Sequence, residues 1–214
     1  MGIINSNNKK DKNYYNMEVE SLLWHTRFKK KQIKIILDRW RYLFYDKEVL
    51  GYRTWKNSIN LVKKKGHMNS KWVRKVPSKI WDFIFYIFSD KDNILTFRNL
   101  VIKMSELLKG DIIVKNSLIF NLIHKDNHPK KNIYTLLNFI RHIWKYRIEK
   151  CQHCSTKEDI TQVTEYLYKT LRDKNGRLDY HKFIELYKND IWWKNDILLP
   201  IVELTYIFLP INYQ

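Results

Sequence analysis

Glycine and proline are scarce in this chain, with five and four in 214 residues. So few turn-formers argue against a turn-rich all-β fold and favour long helices. Cysteine is scarcer. Cys151 and Cys154 make one C-x-x-C around His153, whereas a structural zinc needs four ligands, usually from two such pairs. His142 or His124 could complete a set, but nothing in the spacing selects either. No strand pattern precedes the pair, so the redox reading is unsupported too, and two reduced thiols are expected. The longest apolar runs, Ile80–Phe88 and Ile197–Pro210, are too short or too polar to span a bilayer, and Met1–Lys12 has no apolar segment of the secretory kind. Catalytic groupings are missing as well. The histidines at 25, 67, 124, 128, 142, 153 and 181 are scattered outside any nucleophile or zinc-hydrolase pattern, and there is no P-loop or glycine-rich dinucleotide turn. His124 and His128 could hold a metal, though loop polarity explains them equally well. No enzymatic activity is expected.

Acidic residues are outnumbered 22 to 40, leaving a net charge of +18. Such a balance points to an anionic partner, membrane lipid or nucleic acid. A Lys-, Asn- and Ile-rich composition would also produce it by solvating helix faces. Nucleic-acid binding calls for a dense basic stripe with interleaved aromatics on one element. Here the lysines are spread along the chain, so no nucleic acid is expected. Hydrophobic residues make up 44% and aromatics 15%, enough to bury a core in one domain or two small lobes.

The N-terminus carries the membrane signal. Met1-Gly2-Ile3-Ile4-Asn5-Ser6 fits the M-G-x-x-x-[ST] pattern for myristoylation of Gly2. One myristoyl chain binds membrane only marginally, with K on the order of 10⁴ M⁻¹, so a second signal is needed. Lys9, Lys10 and Lys12 supply it, each contributing about 1 kcal/mol near an anionic surface, and Lys29–Lys31 could extend the patch. No cysteine lies near for palmitate. Residues 1–16 are expected to form a flexible, myristoylated, basic tail on the cytosolic face of a membrane.

Beyond it, apolar residues recur at helical spacing: Ile33, Ile36, Leu37, Trp40, Leu43 and Phe44, then again over 55–64. Residues 65–77 read as a basic loop, and Ser78 is expected to cap an apolar helix over 79–88. Between Phe88 and Leu100, Asp90 and Asp92 lie two apart, with Leu95 and Phe97 following. This is the skeleton of an EF-hand loop, in which positions 1, 3 and 5 offer oxygens, position 8 is apolar and position 12 is a bidentate Glu. With Leu95 at position 8, Asp90 and Asp92 take positions 3 and 5 and Asn99 takes 12. A second copy runs from Leu171, with Asp173 and Asn175 at 3 and 5, Gly176 at 6, Leu178 at 8, Asp179 at 9 and Lys182 at 12.

The segment Phe97…Leu100…Met104-Ser105-Glu106-Leu107-Leu108-Lys109-Gly110…Lys115…Phe120-Asn121-Leu122 resembles the stretch joining the second and third EF-hands of neuronal calcium sensor and potassium-channel-interacting proteins. There an F-x-x-F, an L-S-x-L-L-R-G and an E-K-L-x-W-x-F-N-L follow one another. The resemblance covers roughly residues 25–190. Calcineurin B-like proteins and the EF-hand region of TLDc-domain proteins are close competitors. It implies an all-α fold of paired helix-loop-helix units in two lobes, 17–109 and 110–192, with short β pairings between loops and an apolar C-terminal segment, 193–214. It also implies a third loop at His124, with Asp126 and His128 at positions 3 and 5, and an eroded first loop at Leu43–Trp55.

Departures from that pattern matter more than matches. Position 1 is Leu43, Phe88, His124 and Leu171, never Asp, and position 12 is nowhere Glu. Affinity follows ligand charge and count, so calcium binding is not expected, and the Lys182 ammonium could stand where the ion would sit. The resulting expectation is a calcium-insensitive adaptor without cofactor apart from covalent myristate. It would bind anionic lipid and an amphipathic helix of a membrane or cytoskeletal protein. Trp81, Phe85, Phe88, Phe120 and Trp144 are the candidate groove residues. The segment 197–209 can pack as a last helix, plug that groove or swing out. The alternative is a calcium sensor with one unorthodox site, and behind it a basic nucleic-acid-binding helical protein. Replacing Gly2 (Gly2→Ala) is expected to move the protein from the membrane to the cytosolic fraction, and unchanged fractionation would rule out the acyl anchor.

Overall fold

The computed structural model describes residues 4–65, 76–124, 132–150, 157–188 and 197–209. These are mostly helical, with ten α-helices and one two-stranded sheet, in keeping with the expected all-α class. No described helix is long and apolar enough to cross a membrane.

Helix α1 spans Ile4–His25 and so includes residues assigned above to a flexible tail. Its inner side offers Tyr15, Val19 and Leu22, all buried. Helix α2, Lys30–Phe44, buries its apolar residues along one stripe and starts with the Gln32 side-chain oxygen accepting from the Lys29 N–H at 2.8 Å. After α2, Tyr45 and Asp46 are both left-handed, with φ of 54° and 58°, a strained arrangement for non-glycine residues. The Trp40 indole N–H, donating to the Lys47 carbonyl at 2.9 Å, closes this turn.

Strand β1, Val49–Gly51, leads directly into α3, Tyr52–Lys65. Helix α4, Ser78–Phe88, places Pro77 and not Ser78 at its N-cap. Proline lacks the N–H that a helix start leaves unpaired, so it fits there, and Ser78 becomes the first helical residue. Strand β2, Ile94–Thr96, runs into α5, Phe97–Lys109, where the Thr96 hydroxyl accepts from the Asn99 N–H at 3.1 Å. The strands pair antiparallel with Leu50 opposite Leu95, so the two buried leucines meet at the centre of the pair. Glycine is required at 110, because a Cβ there would lie 2.2 Å from the Glu106 carbonyl oxygen.

The second half comprises α6 (Ile112–His124), α7 (Asn132–Lys150), α8 (Lys157–Leu171), α9 (Tyr180–Lys188) and α10 (Leu199–Leu204), the last continuing into one 3₁₀ turn, Thr205–Ile207. Helix α4 packs on α3 and α5, and also on α6 and α7, and one apolar core runs from Tyr15 to Leu209.

Of the three arrangements open to the C-terminal segment, the structure has it packed inward. Ile197, Leu198, Ile201, Leu204, Ile207, Phe208 and Leu209 are buried, and α10 lies on α7. Pro200 sits in its first turn. Phe208 meets both Phe44 and Trp55 with ring centroids 6.3 Å apart. Replacing Phe208 with alanine is expected to cost about 3–5 kcal/mol, read from a denaturant midpoint. Leu199→Ser, at an exposed position of the same segment, should change stability by less than about 0.5 kcal/mol. Equal effects would contradict this packing.

Candidate functional site

The two acidic loops are built alike, counting from Phe88 and from Leu171. In each, the carboxylate at the third residue folds back on its own loop. Asp90 Oδ1 accepts from the N–H groups of Asp92 and Ile94 at 3.0 and 2.8 Å, and Asp173 Oδ1 accepts from Asn175 and Arg177 at 2.8 and 2.7 Å. The sixth residue is left-handed in both, Asn93 with φ of 58° and Gly176 with φ of 74°. Asn tolerates that region and Gly enters it freely. The ninth residue caps the outgoing helix: Thr96 bonds the Asn99 N–H, and Asp179 Oδ1 accepts from the Lys182 N–H at 3.1 Å.

A lysine from the outgoing helix reaches back into each loop. Lys182 Nζ donates to the Arg172 carbonyl at 3.0 Å, and Lys103 Nζ donates to the Ser89 carbonyl at 2.5 Å. Both acceptors are the second residue of their loop. Burial lowers the Lys103 pKa below the ordinary lysine value, against the opposing pull of Glu106 and Asp90. Burial likewise raises the Glu106 pKa, with Lys103 opposing. The sequence singled out Lys182 as an ammonium in the ion's position; here it donates to the Arg172 carbonyl. Lys103 was not singled out, because it stands one helical turn beyond Asn99 and enters the loop only through the helix repeat.

The chain before α2 is tied to α5 by polar contacts. Arg98 Nη1 donates to Glu18 Oε1 at 3.3 Å and to Ser21 Oγ at 3.1 Å. The Arg27 N–H donates to Ser105 Oγ at 2.8 Å, and its guanidinium to the Lys109 carbonyl at 2.6 Å. Between α3 and α4, the half-buried Tyr52 phenol hydrogen-bonds the Asp82 carboxylate. Its pKa is raised, first by burial and then by Asp82.

The expected groove residues Trp81, Phe85, Phe88, Phe120 and Trp144 are all buried. Phe85 faces Trp55, Phe120 faces Phe183, and the Trp81 carbonyl accepts from the Trp55 indole N–H at 3.1 Å. Open apolar surface lies elsewhere. A cleft of about 400 Å³ between α2 and α3 is lined by Tyr42, Leu43, Tyr45, Ser58, Leu61 and Val62, with Arg41 and Asp46 at its side. Their salt bridge measures 3.2 Å. A second cleft of about 320 Å³ lies between α7 and α8, around Tyr134, Leu137, Arg141 and Tyr168. Neither cleft was anticipated from the sequence.

Gly2, Asp126, His128, Cys151 and Cys154 lie outside the described residues. Lys9, Lys10 and Lys12 fall within α1, where only the backbone is described. Among the described residues, no group of three His, Cys, Asp or Glu side chains is placed to hold a metal ion. Neither a protein-family model nor a curated protein matches this chain.

The Lys182–Arg172 bond ties α9 to its loop from an exposed position. Lys182→Ala is expected to reduce stability by about 0.2–1 kcal/mol, with loss of amide protection over 171–188 in hydrogen exchange. An unchanged melting temperature together with unchanged protection would discard this role for the lysine.

Proposed function

We propose that the chain is an EF-hand-like adaptor that does not respond to calcium, and that it works at the cytosolic face of a membrane. The observation that carries this reading is the matched pair of loop positions. Leu50 and Leu95, both eighth in their loops, face each other across an antiparallel pair, as paired helix-loop-helix units require. Its further support is the hydrogen-bond pattern common to the loops at Phe88 and Leu171.

Calcium does not fit these loops. A calcium ion takes six to eight oxygens and its loop ends on a bidentate Glu. Here Asn99 and Lys182 stand at the last position, and the third-position carboxylates are engaged by backbone N–H groups. Lysine ammonium groups already satisfy the carbonyls of Ser89 and Arg172. An ion would have to displace bonds that the loop makes with itself.

The partner in this reading is an amphipathic helix of a membrane or cytoskeletal protein, recognised through an apolar surface. With the C-terminal segment seated in the core, the larger of the two clefts described above, at Tyr42, Tyr45, Leu61 and Val62, is the surface assigned to it. A membrane role rests on the Met-Gly-Ile-Ile-Asn-Ser start and the lysines that follow it.

Calorimetry on the chelator-treated protein tests the loop reading, with magnesium as control. No heat of binding up to millimolar calcium is expected. Binding at micromolar affinity or tighter would make the chain a calcium sensor and overturn the proposal.

A further inference from the structure

Two large apolar side chains of α1 face away from the protein. Trp24 is 90% exposed and Met17 is 75% exposed. They stand seven residues apart, two helical turns, so they share one face. The opposite face holds the buried Tyr15, Val19 and Leu22, and polar contacts from Glu18 and Ser21 to Arg98 fix the rotation of the helix. The Tyr15 ring packs edge-on to Phe97 at 6.5 Å and carries the Arg41 guanidinium at 4.3 Å. Turning Trp24 inward would break all of these contacts.

We propose that this face of α1 lies on an anionic bilayer, with Trp24 and Met17 entering the headgroup region. The inference rests on the membrane-associated reading given above and names the surface that makes the contact. Charge complementarity selects the occupant. Glu20, one turn before Trp24, forms an ion pair with Lys30, which ties the exposed Lys29–Lys31 run at the start of α2 to the α1 residue one turn from Trp24. Neither of the clefts at α2–α3 and α7–α8 is lined by Trp24 or Met17. Tryptophan at the edge of a bilayer, flanked by lysines, matches both layers of such a surface.

The test uses the full chain, acylated and as the Gly2→Ala variant, each with and without Met17→Ser plus Trp24→Ser. Co-sedimentation is measured with phosphatidylcholine vesicles with and without phosphatidylserine. The double substitution is expected to weaken binding to phosphatidylserine vesicles at least about tenfold in the acylated protein, the size expected if the two side chains together bury as much apolar surface as one fully buried residue. Its melting temperature should hold, because both side chains are outside the core. Trp24→Phe should retain most of the binding. Unchanged vesicle binding in the double variant overturns the proposal and leaves the acyl reading standing. If cellular fractionation shows no dependence on Gly2 while the Trp24 effect on vesicles persists, the proposal stands and the acyl reading falls. A dimer in sedimentation that the double substitution dissolves, with no effect on vesicles, assigns the face to a second copy and overturns it too.

Discussion

The packing of Trp55 is the contact on which the rest of this structure depends. Its ring stacks on Phe44 at 5.6 Å, leans on Phe85 at 5.9 Å and meets Phe208 at 6.3 Å, while its indole N–H is satisfied by the Trp81 carbonyl. One side chain thereby joins α2, α3, α4 and the C-terminal segment. A buried tryptophan stabilises by its area but demands a partner for its polar atom. Here that partner sits on the helix against which its ring packs. The strand pair follows from the same arrangement, since β1 lies between the helices that contribute Phe44 and Trp55.

Much of the fold was legible in the sequence because it depends on period. The stripe of α2 and the apolar run of α4 are buried as their spacing requires, and Leu50 and Leu95 occupy matching positions of their loops. Other features depend on distance and could not be read. The apolar load of α4 was open to use as core or as groove, and periodicity does not distinguish the two. Packing of α4 against helices from both halves put Trp81, Phe85 and Phe88 in the core. The open surface at Tyr42 and Tyr45 arises where the left-handed pair Tyr45–Asp46 turns the chain out of α2, and no local pattern marks that turn. Helix α1 has the same origin: its residues are polar in composition, yet Tyr15, Val19 and Leu22 supply enough apolar surface on one side to seat it.

The acidic loops illustrate a different economy. A loop that encloses an ion spreads its charge over many oxygens around a centre. In these two, the third-position carboxylate accepts from its own backbone, a left-handed residue closes the turn, and a lysine joins the loop to the next helix. Each of these bonds is local, so the loop shape is encoded within about a dozen residues. The partial burial of Lys103 fits the same scheme, since an ammonium that gives up water needs the Ser89 carbonyl as its substitute.

The position of Phe208 sets an order of events during synthesis. Phe44 and Trp55 leave the ribosome early, but the ring that completes their cluster belongs to the far end of the described chain. Until that segment emerges, the first half holds an unfinished apolar core that is open to other nascent chains and to chaperones. Contacts so distant in sequence form slowly because a long loop must close first. The aromatic cluster of α2 and α3 is therefore complete only once the C-terminal segment docks on it.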